Sequence, residues 1–142
     1  MGVIRFLDHP SDVYIEVEAD SLEEAYALSG VALYQVMTDV ETIEKRESIN
    51  VEVSGYDLYS LLYNWLEELL YLFDAKGFLG SEVKVDNIGK AGDEFKLKAV
   101  VVGEKYDPSK HPSKTGVKAV TYHLMEIEQL DGRCRVRFVL DI

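Results

Sequence analysis

The sequence predicts an α+β fold in a single domain spanning residues 1–142, a largely antiparallel β structure packed with two main amphipathic helices. Three observations predict it. Alternating apolar and polar residues mark half-buried strands near both ends of the chain. Two capped windows carry apolar residues at three- and four-residue steps. From residue 80 onward only strand patterns follow. This order is unlike the strand–helix alternation of a doubly wound nucleotide fold. With 142 residues, 47% of them hydrophobic and 11% aromatic, the chain can bury one core of its own.

Segments 2–7 (GVIRFL) and 12–18 (DVYIEVE) read as strands around the turn-like Asp8-His9-Pro10-Ser11. In the second, Val13, Ile15 and Val17 face one way and Asp12, Tyr14, Glu16 and Glu18 the other, so Asp12 opens a strand on its polar face. Ser21-Leu22-Glu23-Glu24 has capping-box spacing, in which a hydroxyl and a carboxylate each satisfy a free backbone amide, and it starts a helix that runs to Met37. Residues 49–54 (INVEVS) form a short strand. Asp57 then caps a second helix, with Leu58, Leu61, Leu62, Trp65, Leu66, Leu69 and Phe73 on one side. Ser60, Asn64, Glu67, Glu68 and Asp74 lie on the other, and Gly77 stops the helix. Packing alone requires that apolar stripe, so no chemistry is assigned to it. Strands follow at 80–86, 94–104, 117–128 and 133–141, the last two joined through the hairpin signal Asp131-Gly132. Residues 106–116 hold two prolines, a glycine and almost no apolar side chain, which predicts a long exposed loop. Lys110, His111, Lys114 and Lys118 would put mobile positive charge in and just after it.

Charge narrows the function. Fifteen Lys and Arg against 26 Asp and Glu give a net charge of -11, which argues against a general nucleic-acid binder, because neutralising phosphates needs clustered cations. The charge is uneven. Residues 1–75 carry 16 acids and 3 bases, net -13, while residues 76–142 carry 10 acids and 12 bases, net +2. One side of the molecule should therefore suit a basic partner or a cation. No apolar run approaches the roughly 20 residues of a membrane span, and the N-terminus lacks a basic region followed by a long apolar stretch, so a cytoplasmic protein without a membrane partner is expected. The single cysteine, Cys134, fits a small buried strand residue rather than a disulfide or zinc ligand. The Walker, dinucleotide and H-E-x-x-H motifs are absent, and Ser113-Lys114-Thr115-Gly116 lacks the glycines that would aim backbone amides at a phosphate.

The final strand is where chemistry could sit. Arg133, Arg135, Arg137, Val139 and Asp141 share one face, and Cys134, Val136, Phe138, Leu140 and Ile142 the other. Asp141 thus projects from the polar side, next to the α-carboxylate of Ile142. Two neighbouring anionic groups at an ordered strand end can chelate a hard divalent cation, with calcium, magnesium and manganese all suited to such oxygens. Asp12 is the best third carboxylate, with Asp8 and His9 nearby as outer groups.

These residues coincide with a known family. Asp8-His9-Pro10-Ser11-Asp12-Val13 resembles the D-H-T-A-D-[VI] signature of archease, with Pro-Ser in place of Thr-Ala. Lys110-His111-Pro112 with Val117-Lys118-Ala119-Val120-Thr121-Tyr122-His123 is similar to its K-H-P and V-K-A-[VI]-T-Y-H signature, and Val139-Leu140-Asp141-Ile142 to its hydrophobic-Asp-Ile ending. The resemblance implies a non-enzymatic accessory factor of the RtcB-type tRNA-splicing RNA ligase. Such a factor promotes guanylylation and multiple turnover of the ligase and broadens its nucleotide use, touching RNA only indirectly. It also implies that Asp12, Asp141 and the Ile142 carboxylate bind the divalent cation, and that a lysine matters, Lys118 fitting best and Lys110 second. Two competing readings are a chaperone-like modulator of a tRNA methyltransferase and a metal-dependent phosphoryl-transfer enzyme in its own right.

Overall fold

Strands β1 (Val3–Leu7) and β2 (Val13–Ala19) form the antiparallel hairpin that the alternation predicts, and β2 pairs in turn with β7 (Arg133–Asp141), which pairs with β6 (Ala119–Leu130). The result is a four-stranded sheet in the order β1-β2-β7-β6. The structure is a computed structural model and describes residues 2–9 and 11–142, so Pro10 of the β1–β2 turn lies outside the described residues. A second, three-stranded sheet has the order β3-β5-β4, built from β3 (Glu47–Gly55), β4 (Phe78–Ala91) and β5 (Glu94–Lys105). All pairings are antiparallel.

Between the sheets run α1 (Leu22–Met37) and α2 (Leu58–Lys76). Each helix touches both sheets: α1 packs on β4 and on β1, β2 and β7, and α2 packs on β3, β4 and β5 and on β6. The caps form as the sequence predicts, with one change. Ser21 accepts from the Glu24 amide at 3.1 Å, but the Glu24 carboxylate reaches back one residue further, to the amide of Asp20 at 2.8 Å. Asp57 and Ser60 complete a reciprocal capping box on α2. Ser60 is therefore buried rather than on the solvent side, because its hydroxyl serves the cap. Gly77 ends α2 at φ 65°, a left-handed conformation that costs glycine nothing. At the helix crossing, the fully buried Trp65 donates its indole N–H to the Tyr26 carbonyl at 2.8 Å.

Strand boundaries depart from the sequence reading where pairing extends them. β4 begins two residues earlier and runs to Ala91, because irregularities between Gly80/Glu82 and Val85/Asn87 keep it paired with β5 through the turn at Gly92-Asp93. The long connection after β5 has no regular structure, but it is not simply an exposed loop. His111 and Val117 are buried, and the backbone amides of Lys114 and Thr115 donate to the Met37 and Val36 carbonyls, the groups α1 leaves unpaired at its C-terminus. A polar segment can be held as firmly as an apolar one when it finds such partners. Those amides are also thereby committed, which removes the loop 113–116 as a phosphate cradle.

Candidate metal centre

The outer face of the four-stranded sheet is an ordered lattice of charge. Register aligns Arg5, Glu16, Arg137 and Glu126 in one row across all four strands. Glu16 accepts from Arg5 at 2.9 Å and from Arg137 at 2.7 Å. Burial pushes the Glu16 carboxyl up, but the hydrogen bonds from Arg137 and Arg5 outweigh it and hold the group below its ordinary value. Glu18, Arg133, Arg135 and Glu128 make further ion pairs on the same face.

Two rows further along, the pattern stops. Leu140 pairs with Val13, and Asp141, the last residue of β7, pairs with Ala119 of β6. Val13–Leu140 is the last pair of the β2–β7 ladder, and Asp12 and Asp141 are the residues that immediately flank it; Asp12 lies in the bend before β2 rather than opening the strand as the alternation predicts. Asp12 is half-buried and Asp141 exposed. Neither carboxylate has an ion pair or hydrogen-bond partner among the described residues, in contrast with the neutralised rows behind them. Like charges brought near one another are destabilising unless a cation joins them. Among the described residues no three His, Cys, Asp or Glu side chains stand close enough to hold a metal, and Asp12 and Asp141 offer carboxylate oxygens beside Ile142. This all-oxygen donor set fits a hard divalent cation that keeps water in its remaining positions.

The lysines separate. The Lys118 amide donates to the Asp141 carbonyl at 2.7 Å, placing this residue beside the carboxylate pair, and its ammonium has no ion pair among the described residues. Lys110 instead lies at the β5 end of the other sheet, 2.7 Å from Glu104 and 2.6 Å from Glu44. There the Glu104 carboxylate also accepts from the Glu44 amide at 2.7 Å and meets His111 Nε2 at 2.9 Å. Because His111 Nδ1 accepts from the Asp107 amide, the ring proton sits on Nε2 and points at Glu104. The Glu44 amide, then Lys110 and His111, hold the Glu104 pKa down at about 2. Lys114 is engaged as well, donating to the Gln35 carbonyl at 3.0 Å.

Asp8 is exposed in the β1–β2 turn. His9 sits between two rings, its centroid 6.1 Å from Tyr14 and 6.3 Å from His123, both edge-on. Val139, paired with Tyr14 on one side and Thr121 on the other, is fully buried. His9 Nδ1 is buried without a partner among the described residues, leaving an unmet polar atom one turn from Asp12. His123 reaches this position through an irregularity in β6 that the sequence did not signal. Thr121 pairs with Val139 and Glu126 with Arg137, so residues 122–125 all oppose Phe138.

The archease protein family matches residues 5–142 of this chain. This chain belongs to the archease family. It is 49% identical over 138 residues to Protein archease of Pyrococcus abyssi, covering 95% of each chain, and 42% identical to that of Sulfolobus acidocaldarius over the whole of both. The solution structure of Methanobacterium thermoautotrophicum protein 1598 matches this archease with a TM-score of 0.83 at 34% identity, covering 98% of each chain. A Thermotoga maritima protein described as an archease and possible chaperone shares the fold at a TM-score of 0.60 and 19% identity, covering 97% of this chain and 96% of that one. The α+β, two-helix, antiparallel architecture is thus that of solved archease structures. No helix among the described residues is long and apolar enough to cross a membrane.

Proposed function

We propose that this archease is a non-enzymatic activator of an RtcB-type tRNA-splicing RNA ligase, promoting guanylylation of the ligase, its multiple turnover and a broader use of nucleotides. In this reading Asp12, Asp141 and the Ile142 carboxylate hold a divalent cation, and Lys118 stands beside them. The observation that carries it is a contrast along one sheet: the charges of the rows behind are paired, while Asp12 and Asp141, which flank the last β2–β7 pair, have no ion-pair partner among the described residues. A cation bound there would supply positive charge to a nucleoside triphosphate, whose transfer chemistry is governed by positioning and charge neutralisation. The chain's own residues orient that corner. Asp141 ends β7, Asp12 immediately precedes β2, and the Lys118 amide ties its segment to the Asp141 carbonyl. Lys118 can then offer an ammonium to phosphate from the same end of the sheet.

A ligation assay with substrate in large excess over ligase tests this. With the protein present each ligase molecule should complete many cycles, and without it about one. A charge-assisted hydrogen bond contributes roughly 1.5–3 kcal/mol, so Lys118→Ala should lower stimulation about 10–100-fold without moving the melting temperature. Lys110→Ala should do the reverse, lowering the melting temperature by loosening Glu104 while folded protein still stimulates. Normal stimulation by Lys118→Ala would remove the lysine from the account. If purified wild-type protein left turnover unchanged, the activator reading itself would fail.

A further inference from the structure

Where β6 meets α2 several tyrosines stand open to solvent. Tyr56 is 76% exposed, Tyr122 49% and Leu124 44%, with Tyr59 also open to solvent. They belong to one patch. Tyr122 stacks on Tyr63 of α2 with ring centroids 4.5 Å apart and planes 8° from parallel, and Tyr59 sits one turn before Tyr63 on the same helix face. The β6 irregularity creates this arrangement: it turns Tyr122 onto α2 while His123 meets His9, and it holds Leu124 at φ 58°, a left-handed conformation costly for a branched side chain. Among the described residues Leu124 is the non-glycine residue with positive φ, and it lies two positions after Tyr122.

Carboxylates edge it. The Glu67 carboxylate faces the Tyr63 hydroxyl, and Asp57, Glu67 and the Tyr56 hydroxyl all lie within electrostatic range of Tyr122. Residues 1–75, which supply α2 almost to its end, carry the net charge of -13. Tyrosine faces rimmed by carboxylates are complementary to arginine, which stacks on the ring and pairs with the acid. Nucleic acid is repelled by the same surface. A protein that binds RNA presents clustered Lys and Arg, and exposed tyrosines are the side chains that anchor protein interfaces.

We propose that the patch formed by Tyr56, Tyr59, Tyr63 and Tyr122, edged by Asp57 and Glu67, is the surface on which a basic, arginine-rich face of the RNA ligase docks. This rests on the activator reading and extends it to the surface through which the partner is held.

Calorimetric titration of the full chain into purified ligase, at low and high salt, tests the proposal. Wild-type binding should weaken with salt. Tyr63→Ala combined with Tyr122→Ala should weaken it about tenfold or more, and Tyr56→Ala, which removes an exposed ring and so leaves folding intact, should weaken it as well. Glu67→Gln should flatten the salt dependence. If the ligase binds wild type and all these variants alike, the docking surface is elsewhere and the activator reading stands. If wild type binds no ligase, both fall. Binding of single-stranded RNA that is lost in the same variants would overturn the choice of a protein partner.

Discussion

Asp141→Asn is expected to return ligase turnover to its unassisted level while leaving the archease folded. The substitution keeps size and hydrogen-bonding shape at the end of β7 but removes one of the two carboxylates that flank the last β2–β7 pair. Changes to groups that merely support a metal ligand cost about 10–100-fold in affinity, so loss of a ligand should cost at least about 100-fold. Stability moves the other way. Without cation the variant should be as stable as wild type or more so, by up to ~1 kcal/mol, because repulsion between like charges has been relieved. With cation, wild type should gain melting temperature and the variant should not. Denaturation with and without added calcium or manganese reads both signs. A wild-type level of stimulation by Asp141→Asn would contradict the proposed role of the corner.

Glu104→Gln is expected to produce the largest change in stability with pH. Glu104 is buried and gathers the Glu44 amide, Lys110 and His111, with Arg46 at 3.3 Å. Its folded pKa of about 2 lies below the ordinary 4.5. A carboxyl depressed in this way contributes stability that is fully present above the unfolded value and is lost as pH falls from 4.5 towards 2. Glu16 and Glu44 are shifted in the same direction and add to the trend. Glutamine in place of Glu104 removes the charge and puts an NH2 donor where a carboxylate oxygen accepted, among donors from Glu44, Lys110, His111 and Arg46, so the melting temperature should drop at neutral pH and its fall between pH 5 and 2 should become shallower. Equal pH slopes for variant and wild type would show that the network does not hold the loop.

Local signals were enough to place most elements, and they were silent about what those elements face. Ser21, Asp57, Gly77 and Asp131-Gly132 mark helix caps, a stop and a hairpin because capping and tight turns are decided within a few residues. The alternation in β2 and β7 put Asp12 and Asp141 on polar faces for the same reason. That these two come near one another depends on the register between strands more than 100 positions apart, which no local pattern encodes. The motif resemblance implied them as co-ligands, and the β2–β7 pairing ends at Val13–Leu140, the pair that these two residues flank. The connection after β5 looked solvated because it is polar, whereas Glu104 at the end of β5 and the last carbonyls of α1 anchor it. Those partners are distant in sequence, so Lys110 and Lys114 looked mobile when they are engaged and Lys118 is not. Gly92-Asp93 was a legible turn left unread, and residues 122–125 gave no warning, since Leu124 has no local reason to adopt a positive φ.

Anomalous diffraction from crystals of the protein grown with manganese tests the account most directly. One strong peak is predicted between the carboxylates of Asp12 and Asp141, within coordination distance of the Ile142 carboxylate, and it should vanish in Asp141→Asn. A wild-type map with no peak at that corner, or with its principal peak elsewhere on the molecule, would contradict it.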